Sequence, residues 1–525
     1  MAKSLTLIIT VFISLFSLSS TAPSSNIFPN AIDFWCNKTP HPQTCKHYFS
    51  FINHDPHQDG IPKTAFQFKN LILRIAMQQS VEAQIQITWL GTKCRSKQEK
   101  TAWSNCVTLY QDTINLLNQA LNPTKQSTSY DLQTWLSTAL TNIDTCQTGF
   151  HELRVIDNVL PLIPNKNISE IISDFLALNN ASSFIPPKTH KNGFPRWLSP
   201  HDRKLLESSP PSLTPDVVVA KDGSGNFETI KEALKVVPKM SQKRFAIYVK
   251  RGVYNENIEI ESSMKNVMLY GDGMKLTIIS GSRSVGGGWT TFDSATVAVR
   301  GDGFVGRGIT FRNTAGAEKH QAVAVRCGGD LSVFYRCGFE GYQDTLYVHS
   351  QRQFYRDCYI YGTVDFIFGN AAVVFQSCNI YARRPMQKQK NVITAQGRTD
   401  PNQNTGICIE NSRVMAAEDL APELSSFKTF LGRPWREYSR TVFLQTYLDR
   451  LIDPAGWLEW KDDFALQTLY YGEFKNLGPR ASTRDRVKWP GFHSITSSTE
   501  ASKFTVENFI GGRSWLPGTG IPFIP

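Results

Sequence analysis

Hydrophobic and polar positions divide the chain into two textures. From residue 30 to about 185, apolar residues recur every three or four positions, as in Leu109 to Leu121 (LYQDTINLLNQAL) and Leu132 to Ile143 (LQTWLSTALTNI), with few glycines between them. That period belongs to helices with one buried face, so a bundle with short connections is expected. From Asp216 the period shortens. Runs such as FAIYV at 245–249, VMLY at 267–270 and ATVAV at 295–299 alternate with Gly, Asp and Asn, the pattern of short strands. Residues 182–215 between the two regions are rich in proline, serine and charge, a linker composition.

A repeat narrows the choice among strand folds. Phe334-Tyr-Arg-Cys337-Gly-Phe339, Tyr355-Arg-Asp-Cys358-Tyr-Ile360 and Phe375-Gln-Ser-Cys378-Asn-Ile380 share an aromatic, a cysteine three positions on and an apolar residue two further on. The step from Cys337 to Cys358 and the step from Cys358 to Cys378 differ by a single position. Ile309 reads as an earlier partner of Phe339, set further upstream by an insertion. Periods of about 20 residues carrying short strands predict a parallel β-helix rather than a sandwich, with equivalent residues stacked at ~4.8 Å. Stacked cysteines fall within disulfide reach, so Cys358 can bridge Cys337 or Cys378, or all can stand as a ladder of buried thiols.

The ends and the composition suggest a compartment. Lys3, an apolar stretch from Leu5 to Leu18 and small residues Ser19 to Ala22 describe a secretory signal peptide at residues 1–22. No later segment is apolar enough to span a bilayer. Sequons at Asn37, Asn167 and Asn180 agree with export. Ten cysteines, five in each half (36, 45, 94, 106, 146 and 327, 337, 358, 378, 408), make disulfides plausible and leave an odd thiol per half. No Cys-x-x-Cys pair exists, so a zinc site is not expected. A net charge of +11 suits a polyanionic partner. Export, and the lack of any nucleic-acid motif, favour an acidic polysaccharide over nucleic acid.

Candidate chemistry sits on the repeat. Asp344 and Asp365 are separated by the same interval as Cys337 and Cys358, which stacks them on neighbouring coils. Two adjacent carboxylates share one proton, giving a nucleophile and an acid at the same pH. Asp365 lies in the apolar run Gly362-Thr-Val-Asp-Phe-Ile-Phe-Gly-Asn370, where a charge needs a reason. Gln343 and Gln321 offer amide donors for an oxyanion. Leu431-Gly-Arg433-Pro-Trp435 presents a guanidinium and an indole, suited to a carboxylate and a sugar ring. No G-x-S-x-G elbow occurs, and only His320, His349 and His493 follow the linker, so no serine triad has a local signature.

Six ordered blocks make the second half resemble plant pectin methylesterases: Gly252-Val-Tyr-Asn-Glu256, Thr291-Phe-Asp-Ser-Ala-Thr296, Gln321-Ala-Val-Ala324, Gly341-Tyr-Gln-Asp-Thr-Leu346, Gly362-Thr-Val-Asp-Phe-Ile-Phe-Gly369 and Leu431-Gly-Arg-Pro-Trp435. The resemblance implies a right-handed single-stranded parallel β-helix over residues 216–520. It implies that Asp365 attacks the C6 methyl ester of a galacturonate, that Asp344 protonates methanol and then activates water, and that Gln343 and Gln321 stabilise the oxyanion. Thr291, Gln321, Arg433 and Trp435 would hold pectin. Cys358–Cys378 would be the bridge, and no metal or cofactor is implied.

Residues 30–182 resemble the pectin methylesterase/invertase inhibitor family, an all-α four-helix bundle, through Cys36-x8-Cys45, Cys106 and Cys146. Pairs 36–45 and 106–146 are implied, with Cys94 outside the scheme. The linker, 183–215, carries Arg203-Lys204-Leu205-Leu206, similar to the processing site of two-domain members. The implied protein is a secreted, cell-wall enzyme whose inhibitor-like pro-domain is removed by a protease, and a separate proteinaceous inhibitor is a further expected partner. A pectin lyase or glycosidase on the same fold, and an inert wall-binding or inhibitor protein, are the alternatives.

Overall fold

The computed structural model describes residues 29–52, 62–164, 166–180 and 214–525. The leader at 1–22, most of the linker 183–215 and the dibasic step at Arg203–Leu206 lie outside those residues.

The first texture folds as helices α1 (Pro29–Cys36), α2 (Pro42–Ile52), α3 (Ala65–Leu90), α4 (Lys97–Leu121), α5 (Ser129–Glu152) and α6 (Lys166–Asn179). The long helices begin where the sequence supplies a cap. Thr64, Ser96 and Thr128 each accept the backbone N–H three positions on. Such a cap stabilises by about 1 kcal/mol. Phe68, Ile72, Leu109, Leu117, Leu136, Ile143 and Phe175 fill the bundle core. Disulfides Cys36–Cys45 and Cys106–Cys146 tie α1 to α2 and α4 to α5, as the resemblance implies. Cys94 is a free, half-buried thiol.

Helix α5 is buried on two faces rather than one. Its apolar stripe enters the bundle. A second stripe, Thr134, Ser137, Thr138, Thr141 and Thr145, is also buried. The threonine hydroxyls donate to the carbonyl four positions back, which satisfies their hydrogens inside the helix. Their oxygens remain as acceptors for another surface.

The second texture winds into a right-handed parallel β-helix. Among the described residues its strands form three parallel sheets. The first sheet has eleven strands, from Val217–Val219 to Phe492–Ser494. The second has eight, from Gly252–Asn255 to Tyr447–Leu448. The third has seven, from Ile258–Ile260 to Thr429–Gly432. The leading aromatics of the repeat stack inside it: Phe334 on Tyr355 at 4.8 Å and Tyr355 on Phe375 at 4.5 Å. Such pairs add about 0.5–1.5 kcal/mol each beyond area burial. The β-helix interior is built entirely from residues after the linker.

The cysteine ladder differs from the implied bridge. Cys358 and Cys378 are both free thiols, as are Cys327, Cys337 and Cys408. The reason lies at the corner between the first and second sheets. One residue with positive φ turns the chain on each coil (Arg336, Asp357, Ser377, Asn411, Gln445), and the next side chain points inward. At that inward position Cys358 Sγ donates to the carbonyls of Arg356 and Phe334, and Cys378 Sγ to those of Gln376 and Tyr355. On the following coils Ser412 and Thr446 make the same two contacts. The position thus selects a small donor for corner carbonyls, and the Cys358 and Cys378 side chains also meet each other there. Ile309 also differs from expectation. It precedes strand Thr310–Asn313 at this corner, and Phe311 is the residue in register with Phe339. The insertion is therefore shorter than the Ile309 pairing implied.

Candidate active site

The two candidate aspartates precede neighbouring strands of the third sheet. Leu346 is in register with Ile367, and Tyr347 with Phe368. Asp344 and Asp365 each lie two positions before the first of those pairs, so they stack as their shared interval predicts. Both sit at positive φ, 61° and 51°, a left-handed conformation that aspartate tolerates better than most residues. Backbone of this kind is common where a side chain must be aimed. Both carboxylates are buried and line one cavity of about 270 Å³.

The other expected residues converge on that cavity. Gln321, Gln343, Thr291, Arg433 and Trp435 all line it. Arg433 holds Asp365 with two parallel bonds, Nε to Oδ1 at 2.8 Å and an Nη to Oδ2 at 2.6 Å. Trp460 lies under the same guanidinium, 4.3 Å from its ring centre. Trp435 meets the stacked pair Tyr347 and Phe368 edge-on. Its indole passes so close to Gly397 that a Cβ there would sit 2.6 Å from the ring, which only glycine permits.

The two aspartates are not equivalent. Burial raises Asp344 well above the usual carboxylate range, and the charges of Asp365 and Glu152 push it further. Burial also raises Asp365, but Arg433 opposes that through its charge and its hydrogen bonds. The bidentate bonds from Arg433 favour the ionised form of Asp365, and no hydrogen bond from Arg433 to Asp344 does the same there. Replacing Arg433 with Gln removes the opposing charge, so Asp365 should hold its proton to higher pH. In the isolated β-helix, the acid limb of kcat/KM for pectin should move upward in pH. Its plateau should fall about 10²-fold, as for loss of one charged donor at a reacting group. An unmoved acid limb would detach Arg433 from the ionisation of Asp365.

The lining includes residues that sequence patterns did not single out: Phe292, Tyr347, Phe368, Trp460 and, from α5, Thr145, Thr148, Gly149 and Glu152. Tyr347 and Phe368 follow Asp344 and Asp365 by three positions each, so the repeat could have shown them. Glu152 had no such signal.

The bundle covers this groove. The oxygen-rich stripe of α5 meets side-chain donors on the β-helix: Asn404 to Thr134 at 2.9 Å, Gln403 to the Ser137 carbonyl at 2.9 Å, and Asn370 to Thr141 at 2.8 Å. His349 faces Thr145 at 3.0 Å, and Arg436 donates to Thr148 at 2.9 Å. At the end of the helix the Glu152 carboxylate accepts the Thr291 N–H at 2.9 Å. Gly149 lets the helix approach, since a Cβ there would stand 3.1 Å from the Thr290 methyl. Phe292, Tyr347, Phe368 and Trp435 are packed into the same apolar cluster as the bundle core.

Among the described residues no group of three or more His, Cys, Asp or Glu side chains is disposed to hold a metal. No described helix is long and apolar enough to cross a membrane.

Comparison with known proteins places both halves of the chain in known families. A family model described as pectinesterase matches residues 216–513, and one described as plant invertase/pectin methylesterase inhibitor matches residues 30–178. Pectinesterase 2 of Citrus sinensis is 55% identical over 99% of both chains. The probable pectinesterase/pectinesterase inhibitor 17 of Arabidopsis thaliana is 58% identical over 93% of both. Among solved structures, the pectin methylesterase from carrot is 59% identical with a TM-score of 0.59, spanning 61% of this chain and 99% of its own. That of Aspergillus niger is 31% identical with a TM-score of 0.51, spanning 60% of this chain and 98% of its own. Matched by these relatives over 93% or more of its length, with both halves recognised, the chain belongs to the pectinesterase family and carries an N-terminal inhibitor-family domain.

Proposed function

We propose that this pectin methylesterase works through an aspartyl acyl-enzyme formed on Asp365. The carrying observation is the asymmetric carboxylate pair: Asp365 clamped by Arg433, Asp344 beside it with its ionisation pushed up. An Asp365 oxygen attacks the C6 carbonyl of a methylated galacturonate. The Gln321 and Gln343 amides receive the oxyanion as the carbonyl π bond opens. The C6–methoxy bond then breaks, and methanol leaves with the Asp344 proton. Water next attacks the acyl-enzyme, giving its proton to the Asp344 carboxylate. The C6–Asp365 bond breaks, releasing a galacturonate carboxylic acid that ionises in solution. One water is consumed per ester, and Asp344 is again protonated. Trp435, Tyr347 and Phe368 supply the apolar faces on which sugar rings stack.

The bundle is proposed as an inhibitor in cis, since it fills the groove a polymer needs. Removal in the secretory pathway, by a protease acting near Arg203–Leu206, fits the linker composition. The unit boundaries 30–182, 183–215 and 216–520 follow from the change of texture. Export to the cell wall fits the leader, the basic charge and the exposed asparagines Asn37, Asn167 and Asn180. An independent inhibitor of the same family as the bundle is the expected partner of the uncovered groove.

Segment 214–525 should release methanol from pectin while polymer length stays constant and no unsaturated ends appear. Turnover in ¹⁸O-water should place ¹⁸O in the released galacturonate carboxyl group and none in methanol, because water attacks C6 and the methoxy oxygen leaves with its methyl group. Shortened or unsaturated oligomers with intact esters would instead assign a glycosidase or lyase.

A further inference from the structure

The most deeply buried ion pair among the described residues takes no part in the chemistry above. Glu473 and Arg486 are each 1% exposed, and neither lines the catalytic cavity. Glu473 lies on strand Tyr470–Phe474 of the first sheet, and Arg486 in the loop that follows it. The Arg486 fork donates to both carboxylate oxygens, at 2.7 and 3.1 Å. Burying two charges costs desolvation that an apolar pair of the same volume would avoid. What this pair supplies instead is direction, through further bonds to one neighbouring segment.

That segment is residues 454–457. Arg486 donates to the Pro454 carbonyl at 3.0 Å, and the Trp457 indole N–H donates to Glu473 at 3.1 Å. The Val487 N–H donates to the Ala455 carbonyl at 3.1 Å. Gly456 stands at φ 74°, where a Cβ would collide with the Arg486 side chain. The segment so held runs along strand Thr429–Gly432. Leu431 donates to the Gly456 carbonyl at 2.7 Å, and Leu458 to the Gly432 carbonyl at 3.0 Å. Trp457 stacks on Tyr471 at 4.1 Å and lies so near Gly432 that a Cβ there would be 3.0 Å from its ring.

Both sides of this contact lead to Asp365. The residue after Gly432 is Arg433, whose fork holds the Asp365 carboxylate. Beyond Trp457 the chain reaches Trp460, whose ring centre is 4.3 Å from the Arg433 guanidinium. Trp460 is 37% exposed, so much of its outer surface meets solvent rather than packing, and its backbone decides where the ring falls.

We propose that Glu473 and Arg486 are positioning residues: by anchoring residues 454–457 they hold Trp460 against Arg433 and so fix the guanidinium fork on the Asp365 carboxylate. The proposal rests on the esterase reading, in which Asp365 attacks as an anion. A fork that wanders favours the anion less, so Asp365 then keeps its proton to higher pH. Asp344 shares the cavity with Asp365, and Tyr471 lies within electrostatic reach of both Asp365 and Arg433. Glu152 joins them only in the full chain, because it belongs to α5.

The test uses segment 214–525, which lacks Glu152. Its interior is built from its own residues, and the carrot enzyme matches about this share of the chain over its whole length. The Asp365 carboxyl is titrated by carbon NMR in protein labelled with ¹³C at the aspartate carboxyls, its signal identified by its loss in Asp365→Asn. The pH profile of kcat/KM for pectin is measured alongside. Arg486→Lys keeps the charge but not the fork. It should raise the Asp365 midpoint and the acid limb by about 0.5 pH unit and lower the plateau about three- to ten-fold. Trp460→Leu, at a partly exposed position, should do the same, and Trp460→Phe less. In the Arg433→Gln background, Arg486→Lys should move the midpoint no further, because the fork it positions is gone. Should Arg486→Lys fail to fold, Trp457→Phe keeps an aromatic ring, deletes the bond to Glu473 and carries the same expectation. A parent-like midpoint in the pair's variant or in Trp460→Leu overturns the proposal. So does an equal shift in the Arg433→Gln background, which would leave the pair a purely structural role. The titration needs no turnover, so a segment that released no methanol would reject the esterase reading while the midpoints still decided the positioning.

Discussion

Replacing Asp365 with Asn in segment 214–525 lowers methanol release from pectin by at least about 10⁴-fold, the scale seen when a nucleophile is removed from an enzyme that forms a covalent intermediate. Asn keeps the shape and can still accept from Arg433, so the fold should survive; an unchanged circular dichroism spectrum and unfolding midpoint would verify that. The loss should fall on kcat, because sugar stacking on Trp435, Tyr347 and Phe368 is untouched. Asp344→Asn should be less severe, since methanol can still leave with a proton drawn from water. A variant lacking Asp365 that turns over within about ten-fold of the parent would exclude the acyl-enzyme, because no other nucleophile within the cavity lining has an arginine holding it as an anion.

The full chain should be about 10²–10³-fold less active than segment 214–525 at equal concentration, because a polymer must displace α5 to reach Asp365. Docking is carried by many weak contacts, so a single large insertion should break it. Thr141 is buried and its hydroxyl accepts from Asn370 at 2.8 Å. Thr141→Arg places a charge and several extra atoms at that contact. Overpacking and an unpaired buried charge together cost a few kcal/mol. Because Thr141 faces the β-helix, the bundle itself should still fold. Methanol release by the uncleaved Thr141→Arg chain should rise at least about ten-fold over the uncleaved parent, a shift of about 1.4 kcal/mol or more in the docking equilibrium. A full chain as active as the isolated segment would mean that the bundle does not stay on the groove in solution.

The covered state has a local electrostatic cost. Asp344 and Asp365 both face the cation Arg433, and Glu152 adds a third carboxylate to the same cavity. Burial raises Glu152 as it raises Asp344, and the charge of Glu152 further opposes the ionisation of Asp344. The Thr291 N–H and the charge of Arg436 lower Glu152 in compensation. An uncovered groove loses Glu152 and regains water. Asp344 therefore carries its proton more firmly in the covered chain than in the segment that performs the chemistry.

Much of this molecule was legible along the chain. The interval shared by the cysteines and the aspartates is a geometric statement, because one coil consumes that length of chain and returns to the same angle. It placed Asp344 beside Asp365, and the same count would have found Tyr347 and Phe368. The helix spacing located α4 and α5, and the caps Thr64, Ser96 and Thr128 show why the long helices start where they do. Other features were not legible because they join distant parts of the chain. Spacing left the cysteines open between bridge and ladder; only the tertiary structure shows Ser412 and Thr446 making the same corner bonds as Cys358 and Cys378. The stripe Thr134, Ser137, Thr141 and Thr145 reads as an unremarkable polar helix face until Asn404, Gln403, Asn370 and His349 are placed against it. Local periodicity determines which residues share a face or a coil, since backbone geometry repeats. Which face meets which depends on contacts between segments far apart in the chain, and so the closure of the groove by α5 and Glu152 was decided by the tertiary structure alone.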